Sequence, residues 1–282
     1  MTAAPALQTK ASTKFAYFTW AGDTAKLAKL LKAVRSLQDR ALDDIERRHA
    51  ETRDERRKEF ASKHSYIADD NRMREAFELS DAESLEFSRE SVLVSMQATE
   101  KQLERTFSGD PDEVMKEVDV ADVVALTISL GGTYASNYSL EVRFKRNLGC
   151  WVAASAPDSS WVVLVEAELR PILASGRPWY WRLREGWGAG LLAVPVAVSI
   201  NFAVFNIGDA ARWAGDQRVA ALVMVIGLSV IIGYGLTSLI RKALPAFELT
   251  EPGNSARGAR VIGVIIAVLA WVGGVVIPLL LD

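Results

Sequence analysis

Residues that build most active sites are scarce in this chain of 282, which carries one cysteine and two histidines. A single cysteine excludes an internal disulfide and a thiolate zinc cluster, and it fits a reducing compartment. His49 and His64 fall on and at the end of a charge-rich stretch, without a His-x-x-x-His spacing. Cys150 opens a predicted strand beside Trp151, with no activating base in its neighbourhood of sequence, so it reads as a buried structural residue. Gly131-Gly132 leads into no Lys-bearing helix and reads as a turn rather than a phosphate loop. The paired carboxylates Asp69-Asp70 and Asp110/Asp112 read as helix caps and loop polarity. No catalytic residue, cofactor or metal ion is therefore assigned, and the chain is expected not to be an enzyme. Its net charge of −2 gives no reason to expect nucleic acid.

Charge is missing altogether from Gly186–Gly208, Val219–Ile240 and Val261–Leu281. Each run slightly exceeds the ~20 residues a helix needs to cross a hydrocarbon core, so three transmembrane helices are expected. FAYFTWAG near the N-terminus is too short for a secretory signal, and a charged helix follows it. Arg170, Arg177, Arg182 and Arg184 precede the first run, and Arg241, Lys242, Arg257 and Arg260 lie between the second and third. By the positive-inside rule the expectation is a multi-pass inner-membrane protein, with a cytoplasmic N-terminus and Asp282 on the opposite side. Within the runs, Ala189, Ala193, Ala197 and Asn201 fall four apart, and Ser229 with Gly233 repeats that spacing. These stripes, with Asn206, are candidates for helix packing or for lining a pore.

The soluble part divides by pattern. Residues 1–22 show no sustained period and are expected to be disordered. Residues 23–64 form a long amphipathic and charged helix, in which Leu27, Leu30, Val34, Leu37 and Ala41 make a seam compatible with a coiled coil. Residues 65–84 read as a connector, and 85–174 as an α+β module. Within the module, 85–107 supports either a helix bearing Leu85, Val92, Met96 and Leu103 or a hairpin. The β-branched residues and serines of 91–99 favour the hairpin. Asp110-Pro111 with Glu113 opens a short helix. Strands follow at 123–130, 138–145 and 150–155, with Tyr138, Leu140, Val142 and Phe144 toward a core and Ser139, Glu141, Arg143 and Lys145 toward water or a partner. A last helix opens at Asp158 or Ser159 and is expected to kink or stop near Arg170, because Pro171 follows.

The predicted fold class is thus an α+β cytosolic domain in the order strand, strand, helix, three strands, helix. It is preceded by the amphipathic helix and followed by three transmembrane helices. That order resembles β-grasp-like domains in a general way. Between module and membrane domain (188–282, with spans near 188–208, 219–240 and 261–281) lies a collar at 175–187. Its Trp179, Tyr180, Trp181 and Trp187 are suited to a headgroup layer, and its Arg177, Arg182 and Arg184 to cytoplasmic phosphates. The function expected is that of a membrane-anchored protein whose helix and module bind a cytosolic protein partner or signal. It would form a homo-oligomer through its spans and N-terminal helix, with the lipid bilayer as a constant partner. The alternative is an oligomeric channel or membrane-disrupting effector gated by the module.

Overall fold

The computed structural model describes residues 10–67, 69–101, 105–131, 137–184 and 244–250, with isolated helical positions at Ala220, Val223, Gly227, Ser238, Gly263 and Ile266. It is an α+β domain. Strands β1 (Ala11–Tyr17) and β2 (Trp20–Asp23) lead into helices α1 (Thr24–Glu51), α2 (Arg53–Lys63) and α3 (Asp70–Glu90). The hairpin β3 (Val94–Glu100) and β4 (Thr106–Gly109), helix α4 (Pro111–Glu117), strands β5 (Val123–Gly131), β6 (Ser139–Lys145) and β7 (Gly149–Ala156), and helix α5 (Ser159–Ser175) follow. The short α6 (Trp181–Arg184) and a late strand β8 (Phe247–Thr250) complete the described elements.

Six strands form one antiparallel sheet in the order β1-β7-β6-β5-β3-β4, and β2 pairs with β8 in a separate parallel ribbon. The module order was legible in the sequence, including the hairpin and the three strands. The added edge strand β1 and the wholly antiparallel pairing of the larger sheet take the arrangement away from the β-grasp-like expectation. Leu140, Val142 and Phe144 point into the core, and their alternates Glu141, Arg143 and Lys145 point away from it.

Three expectations are corrected. Residues 11–23 are not disordered: Thr13, Phe15 and Tyr17 alternate with the exposed Ser12, Lys14 and Ala16, and β7 supplies a partner 133 positions away, Tyr17 opposite Cys150. Residues 65–84 are not a connector. Asp69 caps α3 by accepting hydrogen bonds from the Asn71 and Arg72 amides, and Phe77 buries itself against Phe60. The 23–64 helix is interrupted at Thr52, whose hydroxyl donates to the Arg48 carbonyl at 2.9 Å, a back-bond of the kind that bends helices.

Helix α1 spends its apolar seam inside the molecule. Leu27, Leu30, Val34, Leu37 and Ala41 are all fully buried, packed with Trp161, Val165, Leu169 and Leu173 of α5 over one face of the sheet. The seam therefore faces the module's own sheet and α5, which leaves it no room for a coiled-coil partner. The Trp161 indole donates to the Leu37 carbonyl at 3.2 Å, tying the two helices. Asp23, Asp110 and Asp158 cap α1, α4 and α5 by accepting from backbone amides. Pro171 does not end α5, which continues to Ser175. It sits on the exposed side, where water can take the carbonyl that a proline leaves unpaired.

The register gives the sheet two distinct ends. Tyr17, Gly149 and Lys145 mark one; Ala11, Ala156, Ser139 and Gly131 mark the other. Helix α1 starts at the first end beside β2 and reaches the second, where Asp44 accepts a hydrogen bond from the Tyr138 hydroxyl. Beyond Asp44 the rest of α1 and α2 project as an arm, roughly 30 Å long at 1.5 Å per residue, with α3 returning alongside.

Among the described residues no helix is long and apolar enough to cross a membrane. The expected spans near 188–208, 219–240 and 261–281 lie outside the described residues, apart from isolated positions.

Candidate functional site

The feature that most constrains function is the ribbon of β2 and β8. Strand β8 belongs to the stretch between the second and third charge-free runs, yet it returns to the N-terminal module. Trp20 pairs with Phe247 and Asp23 with Thr250. The join extends past the ribbon: Trp20 N donates to the Ala246 carbonyl, and Ala246 N donates to the Arg146 carbonyl, both at 2.7 Å. Ala21 N donates to the Gly176 carbonyl at 2.7 Å, so the end of α5 is drawn into the same junction.

Aromatic packing fills it. The Trp20 ring lies 4.8 Å from that of Phe144 and stacks on Phe247 at 5.9 Å, and all three are essentially inaccessible to water. Two glycines make room for the indole. A Cβ on Gly22 would stand 2.3 Å from the Trp20 ring, and one on Gly176 only 2.1 Å from its nitrogen. Leu244, Ala246 and Leu249 are buried as well. A segment seated this deeply is part of the module's core.

The collar residues divide by role. Arg184 donates to the Leu244 carbonyl and, at 2.7 Å, to the Asn147 carbonyl. It thus joins the residue nearly preceding the first charge-free run to the chain emerging from the second. Arg177 lies between the rings of Tyr17 (4.4 Å) and Trp181 (5.0 Å), and Arg182 lies over Trp181 at 5.4 Å. Such cation-π contacts hold a guanidinium without neutralising it. Tyr180 departs from the expectation of a ring in the headgroup layer: it is 1% exposed. Burial and the nearby Glu248 carboxylate both push its pKa well up. Trp179 is 60% exposed. Trp187, Ala189, Ala193, Ala197, Asn201, Asn206, Ser229 and Gly233 lie outside the described residues.

Elsewhere the chemistry-bearing side chains are engaged structurally. Cys150 is fully buried, and burial raises its thiol pKa, which removes the thiolate a nucleophile needs. His64 stacks on Phe60 at 4.1 Å. His49 lies within the arm, its Nδ1 2.9 Å from Arg56 and its Nε2 3.5 Å from Asp81. Asp81, 10% exposed, also meets Arg56 at 2.8 Å and Arg53 at 3.9 Å. On the sheet face that no described helix covers, Ser95 pairs with Ser129 at 3.0 Å and Ser139 with Ser155 at 2.7 Å, and Arg143 lies over Trp151. A shallow depression of about 500 Å³ opens there beside Lys14 and Glu141.

Trp20, Gly22, Gly176 and Phe247 were not singled out by the sequence. The readable signal was weak: Phe247 and Leu249 alternate with Glu248 and Thr250 just after Pro245, too briefly to distinguish a strand from a loop. The chain matches no protein-family model, no curated protein and no solved structure in the comparisons made.

Proposed function

We propose that this chain is a non-enzymatic, membrane-anchored protein whose α+β module, on the cytoplasmic side, binds a protein partner or signal and is mechanically joined to its spans. The observation that carries this reading is the return of β8 to β2. Two charge-free runs separate Arg184 from Leu244, and Arg184 holds the Leu244 carbonyl. A helical hairpin that crosses the bilayer and comes back satisfies that closure, since an even number of crossings returns the chain to its starting side. The positive charges flanking both places favour the same side. Val223 and Ile266, within the second and third runs, are helical and 64% and 52% exposed, as lipid-facing side chains would be.

In this reading the arm and the uncovered sheet face receive the partner, and the ribbon passes any displacement to the spans. Self-association belongs to the small-residue stripes of the spans, because the α1 seam is occupied. Purification of the full-length chain from its native membrane, with light scattering in detergent and crosslinking mass spectrometry, tests it. The expected result is an oligomer with a partner crosslinked to the arm or sheet face. A strictly monomeric chain with no retained partner overturns it.

The buried ribbon also favours a second reading, an oligomeric channel or membrane-disrupting effector gated by the module, since a rigid join is what gating requires. Asn201 and Asn206 would then line the path. Ion flux in liposomes that is abolished by Asn201→Leu supports this reading, and flux unchanged by that substitution removes the role for Asn201.

A further inference from the structure

We infer that Phe18, Leu148 and Trp179 form a foot by which the module rests on the lipid surface; the inference builds on the membrane-anchored reading above. The three come from separate places: the turn between β1 and β2, the turn between β6 and β7, and the collar. They are 62%, 70% and 60% exposed. Single exposed apolar side chains are commonplace, but these converge on one end of the sheet. The two turns lie against each other, since a Cβ on Gly149 would stand 2.3 Å from the Tyr17 carbonyl oxygen and 2.6 Å from the Phe18 carbonyl.

That end is where the chain departs for the charge-free runs and returns from them. Arg184 donates to the carbonyl of Asn147, the neighbour of Leu148, and to that of Leu244. Ala246 is bonded to Arg146 in the same turn. If the spans enter lipid beside Arg184 and leave it beside Leu244, the turns carrying Phe18 and Leu148 stand at the bilayer surface. Arg146, two residues before Leu148, and Arg182, three after Trp179, are exposed and supply positive charge at that level. Apolar tips rimmed by cations suit the headgroup and acyl boundary, particularly where anionic lipids are present. The exposed apolar residues of the arm, Leu79 and Phe87, lie toward the opposite end of the sheet and serve as a built-in contrast.

The test uses the full-length chain reconstituted in vesicles of mixed phosphatidylcholine and phosphatidylglycerol. A nitroxide is attached in turn to Phe18→Cys, Leu148→Cys and Leu79→Cys, and its accessibility to oxygen and to a water-soluble nickel chelate is read by electron paramagnetic resonance. Wild type, whose Cys150 is buried, controls for background labelling. Labels at 18 and 148 are expected to show an oxygen-to-nickel ratio several-fold above that at 79. Ratios equal to that at 79 overturn the foot. Low access to both quenchers means protein cover, by a partner or a second copy, and overturns it equally. Alkaline carbonate extraction separates the two levels: a chain that washes off the vesicles defeats the anchoring reading and the foot together, whereas a retained chain with water-exposed labels defeats the foot alone.

Discussion

Trp20 is the residue on which the junction is centred. Its indole is enclosed by Phe144 and Phe247 and cradled by two glycines that no side chain could replace without displacing it. Trp20→Ala is expected to cost about 3–5 kcal/mol, in the range of large aromatic truncations in a core. Gly176→Ala acts by crowding the same ring and is expected to cost about 1–3 kcal/mol. Denaturant titration of the detergent-solubilised protein, followed by near-ultraviolet circular dichroism, reads both; a change below about 0.5 kcal/mol, the range of ordinary surface substitutions, contradicts the packing. The capping aspartates were legible because a cap is written within a few residues of its helix. Trp20 was not, because what makes it a core residue is Phe247, brought in by a strand pairing that no local pattern announces.

Among elements, the arm shows how charge alone can hide a helix. The stretch taken as a connector carries little apolar periodicity, and Phe77 is the residue of α3 that is buried. Ion pairs add to that attachment: Arg53 to Glu78 at 2.6 Å, Arg56 to Asp81 at 2.8 Å and Arg89 to Glu46 at 2.5 Å. Pairs between helices distant in sequence are invisible to a periodicity argument, whereas the apolar faces of α1 and α5 were plain. His49 makes the arm sensitive to acid. Its pKa is lowered, first by burial and then by Arg56, with Asp81 opposing and Arg53 adding a smaller repulsion. The unfolded chain therefore binds the proton more readily than the folded one, so stability rises with pH through the range between the depressed folded value and the ordinary value of 6.5. Amide exchange in α2 and α3 is expected to quicken as pH falls through that range, after correction for the intrinsic rate. A His49→Gln variant should lose the dependence; if it keeps it, another group is responsible. Asp81→Asn, leaving Arg53 and Arg56 short of their shared carboxylate, is expected to weaken the arm by about 1–3 kcal/mol.

At the scale of the whole molecule, the two ends of the sheet face different tasks: one joins the chain leading to and from the charge-free runs, the other carries the arm. The proposed topology makes a direct prediction. In intact cells, a cysteine introduced as Ala214→Cys, between the first two runs, should react with a membrane-impermeant maleimide. Ser255→Cys, after β8, should react only once the cells are permeabilised. Reaction of both from outside, or of neither, contradicts a hairpin that crosses and returns.

The ribbon also imposes an order on biosynthesis. The Thr250 hydroxyl meets the Gly22 carbonyl at 3.3 Å across 228 residues of chain, so the N-terminal module lacks one strand of its core until residue 250 has left the ribosome. At 5–20 residues per second that is a wait of roughly 10–45 s, during which the Trp20 pocket lacks its Phe247 lid. On the proposed topology the first two runs must enter the bilayer before β8 can reach β2. Completion of the module would then follow insertion, closing on chains in which β8 emerges on the same side of the bilayer as β2.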